Sequence, residues 1–232
     1  MIRKFVKKLV YREKADSSSF VKYWRKRGMR IGERTTFFVP TKTCIDTTRP
    51  WLIEIGDDVQ VTEGVTILTH GYEWSVLKNV YGEVLGSSGK VKIGNNVFVG
   101  MYTTILKGVC IGDNVIVGAN SLVTKNIPSN SVVAGRPAHV IMSLDEYYQK
   151  RKSVQSQEAQ ELVKEFREVY GKEVSEHELR EFFWLFENDK EKLPKEWKHV
   201  MTLTGNEEYT YEIFEKHEKQ YRDKKEFLES IK

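Results

Sequence analysis

IGNNVF, VGMYTT, ILKGVC, IGDNVI, VGANSL and VTKNIP run without a break from Ile93 to Pro128. Aliphatic residues stand at every sixth place: Ile93, Val99, Ile105, Ile111, Val117 and Val123. Four residues after each comes Val97, Thr103, Val109, Val115, Ser121 or Ile127, a second row of small and mostly β-branched side chains. An α-helix cannot use this spacing. Six residues make about 1.7 helical turns, so the aliphatic row would smear around the helix. Short strands joined by tight corners fit it. The β-branched residues suit the strands, and the Gly, Asn and Asp clusters suit corners that need positive φ. Each strand then buries its aliphatic residue toward a shared axis, and coil stacks on coil.

The frame extends upstream. IGDDVQ, VTEGVT and ILTHGY begin at Ile55, Val61 and Ile67. Ile31-Gly32 lies 24 residues before Ile55, room for four further repeats, although residues 37–54 match the pattern poorly. Residues 31–142 resemble the left-handed parallel β-helix of the hexapeptide-repeat acyltransferases. From Ile93 to Ile141 they look like the maltose, galactoside and capsular-polysaccharide O-acetyltransferase branch, most specifically in VTKNIPSNSVVAGRPAHVI. The resemblance implies a mainly β fold with three repeats per triangular coil, left-handed crossovers, a homotrimer, and active sites between neighbouring subunits.

Three regions follow: a basic N-terminal helical segment 1–30, the β-helix 31–142, and an α-helical extension 143–232. Ser17–Ser19 can cap a short helix from Phe20 to Arg27. In the extension, helices are expected from Leu144, over Ala159–Tyr170 with Gly171 as its stop, over Glu178–Glu187, and over Tyr209–Ile231. Its aromatic anchors suggest packing on the coils or on a neighbour. Residues 1–30 carry eleven Lys/Arg against two acids, and residues 143–232 carry seventeen against twenty-two. The basic segment either docks on acidic surface of the same assembly, the favoured reading, or meets an anionic partner; a peripheral membrane contact stays open, and no nucleic-acid partner is expected. The sequence has no 18-residue apolar run and no secretory signal pattern, so a cytoplasmic location is expected. The two cysteines, Cys44 and Cys110, lie in no metal-ligand spacing.

The frame fails just after His70. It should resume at Glu73 but returns only at Ile93, so residues 71–92 read as a loop ejected from the coil. Long loops in compact solenoids are usually functional. The resemblance makes His70 the catalytic base: an imidazole can take the proton of a sugar hydroxyl as its oxygen attacks the acetyl-CoA thioester. A base works better when its other nitrogen is held by an acceptor, and Asp46 lies about one 18-residue coil plus a corner before His70; the resemblance likens it to the acidic residue that this branch uses near the acceptor sugar, although an Asp at a corner is equally a turn residue. Glu73 and Glu83 are fallback carboxylates. Tyr72, Trp74 and Tyr81 offer rings either to a glycan or to a coil beneath the loop.

Donor contacts carry over residue by residue. Ala119 matches a backbone contact to the pantetheine arm, and Thr124 and Lys125 match the pair at the far end of CoA. Met101 stands where the branch has Ser or a similarly small residue. Basic residues that follow the GxP turn elsewhere are His139 and Met142 here, and Arg136 is the compensating candidate. The expected function is an acetyl-CoA-dependent O-acetyltransferase acting on a sugar, in surface or capsular polysaccharide synthesis, with no metal. Acetylation of an antibiotic or other small molecule is the near alternative, and a non-catalytic trimeric scaffold is the distant one. A zinc lyase on the same coils needs three His ligands, and only His70 and His139 fall in the coil region.

Overall fold

A computed structural model describes residues 8–231. The repeats form a three-sided prism of stacked parallel strands. One face stacks Arg30–Ile31, Ile53–Ile55, Val91–Ile93 and Cys110–Ile111. The second stacks Thr36–Phe37, Gln60–Val61, Val97–Val99, Val115–Val117 and Ser131–Gly135, and Ala138–Ser143 closes it antiparallel. The third stacks Cys44–Ile45, Thr66–Ile67, Thr104–Ile105 and Leu122–Val123.

Register explains the period. Ile45, Ile67, Ile105 and Val123 pair in one column, and Val61, Val99, Val117 and Val133 in another, all pointing inward and buried. Each such side chain contributes roughly 1.5–3 kcal/mol of burial. Corners are made by residues that tolerate positive φ: Asp58 at 56°, Asn96 at 53°, Asn114 at 57° and Asn130 at 57°. The last three also form a ladder, with each Asn amide donating to the next at 2.9 Å. Gly94 fills a different need. A Cβ there would stand 2.7 Å from the Gly112 carbonyl, so one coil rests on the next through bare backbone.

Thr104 pairs with Leu122, eighteen residues on, as three repeats require. The earlier coils are longer. Arg30 pairs with Glu54, so the 24 residues from Ile31 to Ile55 make one coil rather than four regular repeats. Residues 37–54 miss the frame because two corners of that coil are enlarged, while their strands remain in the sheets.

A helix, Ser17–Lys26, closes this first coil. Its cap is Asp16, which accepts from the Ser19 amide at 2.8 Å, rather than one of the serines expected. Ser17 instead accepts from the Phe37 amide at 2.9 Å. Phe20 and Trp24 are buried, and Phe20 meets Phe37 edge-on at 5.0 Å.

The chain divides into two compact units after Tyr147, a few residues beyond the boundary expected at 143. The second has its own core of Ala159, Val163, Leu179, Phe183, Phe186, Trp197, Phe214 and Phe227. Its aromatic residues pack on each other. The helix expected over Ala159–Tyr170 is the end of a 27-residue helix, Leu144–Tyr170, opened by a reciprocal Ser143–Glu146 cap. Glu178–Glu187 is not an α-helix but turns with a short 3-10 segment at Phe183–Leu185. Leu179, Phe183, Leu185 and Phe186 are all buried there, a set too wide for one helical face. Tyr209–Ile231 is two helices, Glu207–Lys216 and Lys224–Glu229, because Asp223 starts a new one by capping the Glu226 amide at 2.9 Å. Among the described residues no helix is long and apolar enough to cross a membrane.

Candidate active site

The break in the repeat is a real excursion. The Gly89 amide donates to the Thr69 carbonyl at 2.9 Å, and His70 pairs across an antiparallel bridge with Ser88. The 19 residues between Thr69 and Gly89 carry a helix, Trp74–Tyr81, which ends on Gly82 in the left-handed region at φ 78°. The excursion closes before the expected residue 92, since Val91 and Lys92 already pair with Ile53 and Glu54. It returns tightly: a Cβ on Gly89 would lie 2.6 Å from the Gly108 amide nitrogen.

The enlarged corner of the first coil lies directly below this one, because Ile45 pairs with Ile67. That stacking brings Asp46 to His70. Asp46 is buried, and the His70 side chain is 28% exposed. One Asp46 oxygen, Oδ1, accepts from the Thr48 amide at 2.9 Å and the Thr48 hydroxyl at 2.8 Å. The other, Oδ2, accepts from the Thr69 amide at 3.2 Å, the Thr69 hydroxyl and His70 Nδ1. Burial pushes this carboxyl up. The hydrogen bonds from Thr69, Thr48 and His70 outweigh burial and hold it well below the usual carboxylate range. An ionised Asp46 has no proton to give, so Nδ1 carries the hydrogen. Nε2 then keeps its lone pair, and it has no partner among the described residues. A base with a fixed tautomer and a free nitrogen can accept a proton from a bound hydroxyl.

Both Asp46 oxygens are engaged within the chain, Oδ2 by His70 among others. Glu73, the fallback, turns elsewhere. It pairs with Lys107 of the next coil at 2.7 Å, its carboxylate folds over Gly71, and bonds from Lys107, its own backbone and Ser87 lower it to about 2. Glu83 is exposed on the loop. Tyr72 and Trp74 meet at a tilt of 51° with ring centroids 4.7 Å apart, and Tyr72 is 68% and Tyr81 71% exposed, so neither tyrosine is packed down onto a coil.

The donor candidates divide between two edges of the prism. Thr124 and Lys125 follow Val123 on the edge that holds Asp46, His70 and Lys107. Met101 and Ala119 follow Val99 and Val117 on another edge, one above the other, both exposed. The Met101 carbonyl accepts from the Asn120 amide at 2.7 Å. Arg136, also exposed, sits in the turn between the last two strands, and His139 lies on the final strand. No group of three His, Cys, Asp or Glu converges among the described residues.

Sequence reasoning missed Thr48 and Thr69. The D-x-T spacing of Asp46 and Thr48 is an Asx-turn signal that could have flagged the first. Nothing local announces Thr69, since its role depends on which coil lies beneath it.

The family described as bacterial transferase hexapeptide (six repeats) matches residues 90–125. Protein CapG of Staphylococcus aureus is 37% identical over 53% of this chain and 70% of its own length. Galactoside O-acetyltransferase of Escherichia coli is 39% identical over 46% of this chain, which spans about half (53%) of that enzyme. A solved galactoside acetyltransferase in complex with coenzyme A aligns at 26% identity over 64% of this chain and 82% of its own, with a TM-score of 0.46. On the family model and the two sequence relatives, the chain belongs to the hexapeptide-repeat family of left-handed β-helix acetyltransferases.

Proposed function

We propose that this protein transfers an acetyl group from acetyl-CoA to a sugar hydroxyl, in the synthesis of a surface or capsular polysaccharide, with His70 as the general base. The observation that carries the reading is the buried Asp46–His70 pair at the root of the ejected loop, with Nε2 free. The acceptor oxygen attacks the thioester carbon while its proton passes to Nε2. The tetrahedral oxyanion collapses, the C–S bond breaks, and the imidazolium returns the proton to the leaving thiolate. No acyl-enzyme is needed. Asp46 steadies the imidazolium that forms midway. The Tyr72 and Trp74 rings flank the acceptor, and Glu73 braces them through Lys107.

Acetyl-CoA lies along the coils above His70, with Lys125 and Arg136 toward its phosphates, Thr124 beside Lys125, and Met101 and Ala119 along the pantetheine arm. Two prism edges cannot face one extended ligand from a single subunit. The proposal therefore has neighbouring subunits of a homotrimer each supplying one edge. Its location is the cytoplasm, where acetyl-CoA is made. Leu9, Val10 and Tyr11 are 72%, 64% and 49% exposed beside Lys8, Arg12 and Lys14, which supports a peripheral contact with anionic membrane. The rest of that basic segment, residues 1–7, lies outside the described residues.

The test is release of CoA thiol by purified protein given acetyl-CoA and a sugar panel. His70→Ala should lower turnover by about 10²–10⁴-fold. Near-normal turnover in that variant would remove the base from the mechanism, and light scattering that gives a monomer would remove the shared site.

A further inference from the structure

Arginines on and around the first coil fall into two groups. Arg25, Arg30 and Arg34 each hold a carboxylate: Glu33 at 2.9 Å, Glu54 at 3.0 Å and Asp58 at 2.7 Å. Arg49 and Arg27 do not. Arg49 is partly buried, yet the single polar contact of its side chain among the described residues is one long bond, Nη1 to the Ser87 carbonyl at 3.4 Å. Among the described residues the Arg27 side chain reaches only the Thr47 carbonyl at 3.3 Å and the face of Tyr23 at 5.5 Å. A guanidinium has five donors in a fixed fork that fits carboxylate and phosphate oxygens two at a time. Most of the Arg49 fork is unused.

Its place is informative. The Gly71 amide, next to His70, donates to the same Ser87 carbonyl at 3.4 Å. Arg49 is therefore one shared acceptor away from the backbone that carries the base. The nearby carboxylates are already engaged: Asp46 by Thr48, Thr69 and His70, and Glu73 by Lys107. Strand pairing also orders the edge. Arg49 follows Ile45 on the first coil, His70 follows Ile67 on the second, Lys107 follows Ile105 on the third, and Lys125 follows Val123 on the fourth. Coils are spaced by about 4.8 Å. Arg49 thus sits on the opposite side of His70 from Thr124 and Lys125, where an acceptor approaches and CoA phosphates do not.

We propose that Arg49 reads a negative charge on the acceptor, so that the substrate is an acidic sugar bearing a carboxylate or a phosphate. The proposal rests on the reading of His70 as the base facing that acceptor.

The experiment is calorimetric titration of the CoA-saturated protein with glucose, glucuronate and glucose 1-phosphate, on wild type, Arg49→Gln and Arg49→Lys. Wild type should bind at least one anion about tenfold or more tightly than glucose, and which one separates a uronic acid from a phosphorylated sugar. Arg49→Gln should erase that preference while affinity for glucose and CoA and the thermal midpoint stay unchanged. Arg49→Lys should retain part of it. Equal binding of all three sugars, no anion binding up to tens of millimolar, or a preference that survives Arg49→Gln would overturn the proposal. So would weakened CoA binding with sugar binding intact, which would place Arg49 on the donor. Failure of the base reading is distinguishable, because His70→Ala would then keep turnover while the charge preference persisted.

Discussion

Replacing Asp46 by Asn keeps the shape of the site and removes its charge. Five donors converge on the carboxylate, three at Oδ2 and two at Oδ1. An amide nitrogen must take one of these places and turn its hydrogens against them. At Oδ2 it would face the Thr69 amide and Nδ1–H, and at Oδ1 only the Thr48 amide, since the Thr48 hydroxyl can rotate. The second orientation costs less, so the side-chain oxygen stays on His70 and the tautomer survives. The N–H of exposed Thr48 loses a part-buried hydrogen bond, which costs about 0.5–1.5 kcal/mol and lowers the melting temperature by roughly 1–6 °C. A neutral acceptor steadies the imidazolium less well than a carboxylate. With charge-assisted bonds about twice as strong as neutral ones, kcat should fall roughly 10–100-fold at unchanged KM for both substrates. Steady-state thiol release measures this, and Asp46→Asn combined with His70→Ala should be no worse than His70→Ala alone. A kcat within threefold of wild type would refute the argument. A raised acceptor KM at normal kcat would instead make Asp46 a sugar contact. The pH dependence has a defined sign. A carboxyl lowered by folding adds stability above its unfolded value, about 4, and loses it as pH falls through the folded value. The gap in melting temperature between wild type and Asp46→Asn should therefore be constant near neutrality and shrink only below about pH 4.

Gly94→Ala should destabilise the prism by about 1–3 kcal/mol or more, read by thermal denaturation, because its methyl meets backbone 2.7 Å away; an unchanged midpoint would mean that adjacent coils can part. Glu73→Gln should loosen the root of the loop and speed hydrogen exchange in residues 71–90, with the coil strands unaffected. The wild-type loop should loosen in the same way only as pH falls toward about 2, the value to which Lys107 holds that carboxyl; equal exchange in both proteins at pH 7 would leave the ion pair without a role.

The repeat was legible wherever coils hold eighteen residues, because one strand length and one corner length recur. It faded over residues 37–54, where inward-facing Phe37 and Ile45 keep the rule but swollen corners shift the count between them. The position of His70 could be read because the frame breaks beside it. Its pairing with Asp46 was legible only as a separation of about one coil plus a corner, because the out-of-frame corners of the first coil hide the offset that brings the two together. The Glu178–Glu187 segment misled for another reason. A helical spacing of Leu179, Phe182, Phe183 and Phe186 is present, but a cluster of large rings that must all be enclosed overrides local preference.

The closure of the excursion at Gly89 has an evolutionary reading. Its two ends are fastened to each other, Thr69 carbonyl to Gly89 amide, and the next coil starts in register whatever lies between. The entropic cost of a longer insert grows only as the logarithm of its length. Residues 71–88 therefore form an exchangeable cassette: one lineage can lengthen, shorten or replace it without retuning a single strand of the prism that carries it.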